Sequence, residues 1–136
     1  MLFRSRMLSH AAWCDGTLIG SVRYAPVRLE DKPGLMLGPL VVHPAWKGRG
    51  AGLKLMQVSL EAARGQGDAW VILVGDEPYY ARVGFGRVAE GNITLPGPVD
   101  PKRLLALELR PGVLAGLSGV VLPPLAVPGG GDAGEQ

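Results

Sequence analysis

The amino-acid sequence predicts a mixed α/β domain: a central, mostly antiparallel sheet with one parallel strand–helix–strand crossover. Three observations carry that expectation. Turn chemistry recurs through the first third of the chain, between β-prone runs. The hydrophobic period then changes once, to a helical one, after Pro44. A short, continuous apolar run follows that helix, as a parallel crossover requires.

"HAAWCDGTLIGSVRYAPVRL" reads as two strands around Asp15-Gly16, the dipeptide that a two-residue hairpin favours. A second turn is expected in "EDKPG" (Glu30 to Gly34), centred on Pro33-Gly34. "LMLGPLVVHP" is a third strand, nearly all apolar and so covered on both faces. Gly38-Pro39 inside it predicts a bulge or bend, because proline has no amide hydrogen for a central ladder. Beyond Pro44, Leu53, Met56, Leu60 and Ala63 mark one helix face; Lys54, Gln57, Glu61 and Arg64 mark the next. Gly65 and Gly67 end that helix. "AWVILVG" (Ala69 to Gly75) is a buried strand. "PYYARVGF" opens on proline and closes on Gly84, which predicts a short helix. "GRVAEG" and "RLLALELRP" are two further strands; in the second, Leu105, Leu107 and Leu109 alternate with Ala106, Glu108 and Arg110.

A chain of 136 residues, 47% of them apolar, is one domain with a real core. The expected division is a working domain over 1–110, an apolar extension over 111–127 and a disordered tail over 128–136. Glycine and proline make up 11 of the 26 residues after position 110, and "GGGDAGEQ" has almost nothing to bury. The leucines and valines of 113–127 are expected to pack on the domain or on a second copy, as in a homodimer. The net charge is +2 for the whole chain. All 14 basic residues but only 10 acidic ones precede Pro111, giving +4 there. That excess is too small for a nucleic-acid footprint. No apolar stretch is long enough to cross a bilayer, so a soluble protein is expected and no membrane partner. A lone cysteine, Cys14, has no internal disulfide partner and fits the reducing cytoplasm.

Chemistry is expected where the third strand meets the helix, in "LVVHPAWKGRGAGLKLM". The first amides of a helix lack internal partners and carry the positive end of its dipole. Glycines let a phosphate approach the backbone closely, and Lys47 and Arg49 add charge. Neither a Walker loop nor GxGxxG fits the spacing: Leu53 and Leu55 stand where the third glycine would be. A tight turn with no ligand is the alternative.

"VVHPAWKGRGAG" resembles the acyl-CoA-binding signature of the GNAT superfamily of N-acyltransferases, V-x-P followed by [Q/R]-x-x-G-x-[G/A]. Val42-His43-Pro44 matches the first part and Lys47, Gly48, Arg49, Gly50, Ala51, Gly52 the second, with Lys at the Gln or Arg position. Beyond it, 28 residues after Gly52, "YYARVGF" resembles the second signature, L-Y-x-x-x-G-F. Tyr80, Gly84 and Phe85 are in register, and Tyr79 takes the leucine place. The resemblance covers about residues 11–110. It implies acetyl-CoA as co-substrate, held by backbone groups of Val41, Val42 and His43 along the pantetheine arm and by amides of Arg49 to Leu53 at the pyrophosphate. It implies no metal. It makes Tyr80 the general acid that protonates the departing thiolate. The family usually begins with a strand and two helices that wall the acceptor pocket. Here about ten residues precede the first strand read, so the chain is a minimal form, a truncated one, or one completed by a partner. The activity implied is transfer of an acetyl group to a primary amine of a small molecule or peptide. A non-catalytic acyl-CoA sensor and an enzyme acting on a protein or tRNA are the alternatives.

The remaining polar residues read as structural. His43 is expected to make ordinary strand-end contacts, and Cys14 to be inert. Asp76 is expected to cap the short helix and Glu77 to suit its dipole, which leaves the general base unassigned. Trp46 packs either beside the turn or against the coenzyme. Arg82 reads as an exposed helix cation, with a phosphate contact as the alternative. No His/Cys/carboxylate cluster has metal-ligand spacing.

Overall fold

The computed structural model describes residues 2–6, 9–89 and 91–124. The expected disordered tail, 128–136, and the last part of the apolar extension lie outside the described residues. The strands are β1 (Leu2–Arg6), β2 (Ser9–Cys14), β3 (Thr17–Leu29), β4 (Lys32–Val42), β5 (Trp70–Val74), β6 (Gly86–Arg87), β7 (Ile93–Thr94), β8 (Leu104–Glu108) and β9 (Gly119–Leu122). The helices are α1 (Ala51–Gly65) and α2 (Glu77–Tyr80). The main path through the sheet is β1-β2-β3-β4-β5-β8-β6. All neighbours along it are antiparallel except β4 and β5, which are the parallel pair joined through α1.

Local chemistry explains the joints. Asp15 and Gly16 both have positive φ, 50° and 79°, the mirror-image turn whose twist matches a hairpin. The second hairpin turns earlier than its proline suggests. Leu29 pairs with Lys32, Glu30 takes φ 57°, and Pro33-Gly34 belongs to β4. Gly34 is a packing residue: the Trp70 ring lies where its side chain would be. At the end of α1, Asp68 N–H donates to Ala63 O (3.1 Å) and Gly67 N–H to Arg64 O (3.1 Å), with Gly67 at φ 93°. This is the Schellman closure, and glycine supplies its left-handed residue.

The sheet is buried on both faces by two clusters. On one side α1 sets Leu55, Met56, Leu60 and Ala63 against Val22, Tyr24, Leu35, Leu37, Val71, Leu73 and Leu105. The buried seam of α1 includes Leu55 and Ser59, whereas Leu53 is only partly covered. On the other side Trp70, Ile72, Leu104 and Ala106 meet Leu29, Ile93, Leu117 and Val121. Leu117 and Val121 come from the segment after Pro111. β9 pairs with β3 through Arg28↔Leu122 and Leu29↔Val121, and runs parallel to β7. β4 occupies one edge of β3 along its length, so β9 takes the edge shared with β2, beyond where β2 stops.

One irregularity positions the functional end. Val22 pairs with Leu40 and Tyr24 with Leu37, so Gly38 and Pro39 together face Arg23. That is a β-bulge, and a bulged strand bends. The parallel pairing of β4 with β5 covers only Leu35↔Val71 and Met36↔Ile72. Past the bulge β4 continues on β3 to Val42, and β5 no longer accompanies it.

Candidate functional site

A cleft of about 580 Å³ opens where β4 and β5 part. Its walls are the end of β4 (Leu40, Val41, Val42), the turn and first residues of α1, and Tyr79, Tyr80 and Arg82 from the α2 region. β4 contributes backbone as well as side chains. His43 N–H donates to Ile19 O at 2.8 Å, which fixes the antiparallel alternation. His43 and Val41 therefore turn their backbone groups to β3, and Val42 and Leu40 turn theirs to the side that β5 has left. His43 O also accepts from Trp46 N–H at 2.8 Å. The His43 imidazole is engaged too: Nδ1 accepts from Ala45 N–H at 3.0 Å and caps the short turn Pro44–Trp46.

The turn into α1 has the features of an anion site. Gly48 and Gly50 hold φ of 81° and 83°, a conformation that side chains resist. Gly50 is the N-cap, and its carbonyl accepts the first helical bond from Lys54 N–H at 3.0 Å. No side chain caps the helix and its first turn carries no acidic residue. The leading amides of a 15-residue helix thus have no side-chain cap, and the positive end of the dipole lies behind them. Lys47 stands at the mouth. The Arg49 guanidinium lies over the Trp46 ring, 5.0 Å from its centroid, and Trp46 also lines the cleft.

Across the cleft, Tyr79 and Tyr80 meet edge to face with centroids 5.0 Å apart, and Tyr80 meets Phe85 in the same manner at 6.1 Å. The Tyr80 ring also crosses the end of β5: a methyl at Gly75 would lie 2.5 Å from its edge. Burial pushes the Tyr80 phenol above its ordinary value. Neighbouring Tyr79 and Asp76 push the same way, and Arg103 opposes them. The group therefore stays protonated through neutral pH and can donate. The carboxylates beside it are partnered by arginines. Asp76 Oδ1 is 3.6 Å from Arg103 Nη2, and Glu77 Oε1 accepts from Arg87 Nε at 2.9 Å. Asp76 occupies the N-cap of α2, but its side chain makes no capping bond.

Of the residues singled out in the sequence, Val41, Val42, Lys47, Gly48, Gly50, Ala51, Gly52, Leu53 and Tyr80 line this one cleft; His43 and Arg49 flank it. Leu40, Tyr79 and Arg82 line it as well. Leu40 could have been found from strand alternation with Val42. Tyr79 carries no such signal, because its motif place is normally an apolar one. Cys14 is half-buried, with its thiol 4.0 Å from Asp15 Oδ2. Among the described residues no group of three metal-ligating side chains comes together, and no helix is long and apolar enough to cross a membrane.

Comparison with known proteins follows this geometry. YhbS of Escherichia coli strain K12, an uncharacterized N-acetyltransferase, is 28% identical over 109 residues, covering 79% of this chain and 65% of YhbS. The chain thus spans just under two thirds of that relative. The crystal structure of the Escherichia coli YhbS in complex with CoA superposes with a TM-score of 0.77 at 26% identity, covering 83% of this chain and 64% of the other. A GNAT family acetyltransferase from Brucella melitensis in complex with acetyl-CoA gives 0.66 at 30% identity, covering 84% and 64%. The family model described as the acetyltransferase (GNAT) family matches residues 2–85. With more than half of its length matched, and with parted strands, glycine turn and tyrosine helix in one cleft, this chain belongs to the GNAT family of acetyltransferases.

Proposed function

We propose that the protein is an acetyl-CoA-dependent N-acetyltransferase, moving the acetyl group to a primary amine of a small molecule or peptide. One observation carries the reading: an uncapped helix N-terminus and a protonated, half-buried tyrosine face each other across a single cleft. In this reading the amides at the start of α1 and Lys47 hold the pyrophosphate. The outward backbone groups of Leu40 and Val42 hold the pantetheine arm alongside β4. In the same reading the Val42 N–H stabilises an oxyanion at the thioester carbon. The amine nitrogen attacks that carbon, a C–N bond forms and the C–S bond breaks. Tyr80 donates its proton to the leaving sulfur, while the proton lost from the amine passes to water. Thiol and phenol have comparable proton affinities, so the donation is feasible. Much of the acceleration comes from holding both reactants in line. A lone cysteine, Cys14, supports a reducing compartment such as the cytoplasm for this activity.

Mass spectrometry of ligand retained on purification tests the first half of the reading, and a thiol-release screen over amines tests the second. Acetyl-CoA binding with turnover of at least one amine is expected. Tight binding without turnover of any amine would make the protein an acyl-CoA sensor; no binding would remove the reading.

A further inference from the structure

The glycines of the turn are required for different reasons. At Gly48 and Gly50 the requirement is the left-handed backbone, and a methyl at either would meet nothing within 4 Å. Gly52 is inside α1, with ordinary helical geometry. What excludes a side chain there is Tyr79: a methyl at Gly52 would lie 2.5 Å from the phenol oxygen and 3.2 Å from a Val42 methyl. The Tyr79 hydroxyl is therefore carried from α2 across the cleft to the first turn of α1. Edge-on contact with Tyr80 (interplanar angle 89°) holds the ring in that direction. Among the described residues the hydroxyl makes no hydrogen bond. Beside it are the leading amides of α1, with no acidic side chain in that turn. A phenol O–H brought to the first turn of a helix that has no side-chain cap is a further donor for an anion bound there.

We propose that Tyr79 is a coenzyme-binding residue whose phenol hydroxyl donates a hydrogen bond to a pyrophosphate oxygen of coenzyme A at the first turn of α1. The ligand is then gripped from two elements, by amides of α1 and by a side chain of α2. The glycine at position 52 is the space that this grip needs. The proposal rests on the coenzyme reading above and adds to it a residue at a motif place otherwise filled by leucine.

Calorimetric titration with CoA tests it on the full chain. Tyr79→Phe keeps the ring and should weaken CoA binding by about tenfold, the loss expected for one hydrogen bond to a charged group. Tyr79→Leu should lose a similar factor. Inorganic pyrophosphate should displace CoA from the wild type, and should need a higher concentration to occupy the Tyr79→Phe site. Gly52→Ala should weaken CoA binding in the wild type but add less in the Tyr79→Phe background, because the oxygen it collides with is gone. Wild-type affinity in a folded Tyr79→Phe protein would overturn the proposal while leaving the coenzyme reading intact. So would full additivity with Gly52→Ala, or pyrophosphate that fails to displace CoA or displaces it equally well from both proteins. A wild type that binds no CoA would remove the coenzyme reading and this inference together.

Discussion

Two tyrosines one residue apart share a cleft, and a third lies beneath α1, yet their hydroxyls face different surroundings. Tyr80 is the proposed acid. Tyr80→Phe should leave acetyl-CoA affinity near normal and lower acetyl transfer by about 10²–10⁴-fold, mostly in kcat, because the proton is needed only as charge develops on sulfur. Burial raises its phenol, so the alkaline limb of the wild-type pH profile should fall above the ordinary tyrosine value of about 10 and vanish in the variant. Tyr24 has a structural partner instead. Its hydroxyl and Ser59 Oγ are 2.6 Å apart in the core, Ser59 passes a bond on to Met56 O at 3.1 Å, and burial lifts the phenol to about 12. An unfolded chain ionises this phenol near 10, so the native state binds the extra proton between there and about 12. Stability from Tyr24 is thus complete below pH 10 and lost as the pH rises through that window. Ser59→Ala should cost about 1–3 kcal/mol at neutral pH by leaving the hydroxyl unpaired, measured by urea denaturation. Tyr80 was legible because a motif marks it. The pairing of Tyr24 with Ser59 was not, since 35 residues separate them and only the packing of α1 on β3 joins them.

At the scale of elements, the turn between β4 and α1 has two separable requirements, shape and sign. Gly50→Ala keeps the sign but strains a residue at φ 83°, and should destabilise the fold by about 1–2 kcal/mol. Gly50→Asp or Gly52→Asp puts a carboxylate against the leading amides of α1 and should abolish acetyl-CoA binding in calorimetric titration. Unchanged affinity in a folded Asp variant would end the pyrophosphate assignment. Period and turn chemistry made this element readable: α1, its glycine end and the hairpin at Asp15-Gly16 all follow from local sequence. The second hairpin misled because Pro33-Gly34 is a strong turn signal used here for another purpose. Gly34 makes room for Trp70, a contact across 36 positions that no local rule detects. The helix seam shifted for a similar reason, since Leu53 faces the cleft and Leu55 takes the place beneath.

For the whole molecule, the question is what the segment after Pro111 contributes. Leu117 and Val121 fill the face of the sheet opposite α1, beside Trp70 and Ile72. Leu117→Ala should cost about 2–5 kcal/mol, the usual range for a leucine removed from a core. Ending the chain at Pro111 should lower the melting temperature by many degrees, measured by circular dichroism, and expose an apolar face that promotes association. A monomeric truncation that melts like the full chain would contradict this. Deleting 129–136 should leave melting and coenzyme affinity unchanged. The mixed sheet and its crossover were legible from the order of periods. β1, β7 and β9 were not. β7 has two residues and β9 has four, too few for a period, and their pairing depends on how far β3 outruns β2.

The bulge at Gly38-Pro39 has a consequence for what can enter the molecule. By steering β4 away from β5, it leaves an internal strand edge whose donors and acceptors at Leu40 and Val42 have no neighbouring strand. Such an edge invites another polypeptide to pair with it, and proteins commonly shield theirs. Here the shield is width. A peptide laid along β4 would bring a side chain to each face at every second residue, and Tyr79 and Tyr80 line the cleft it would have to enter. A slender chain that carries amides but no side chains meets no such obstruction. In the proposed coenzyme reading, the kink that opens the sheet thereby favours a thread over a ribbon as the ligand that completes it.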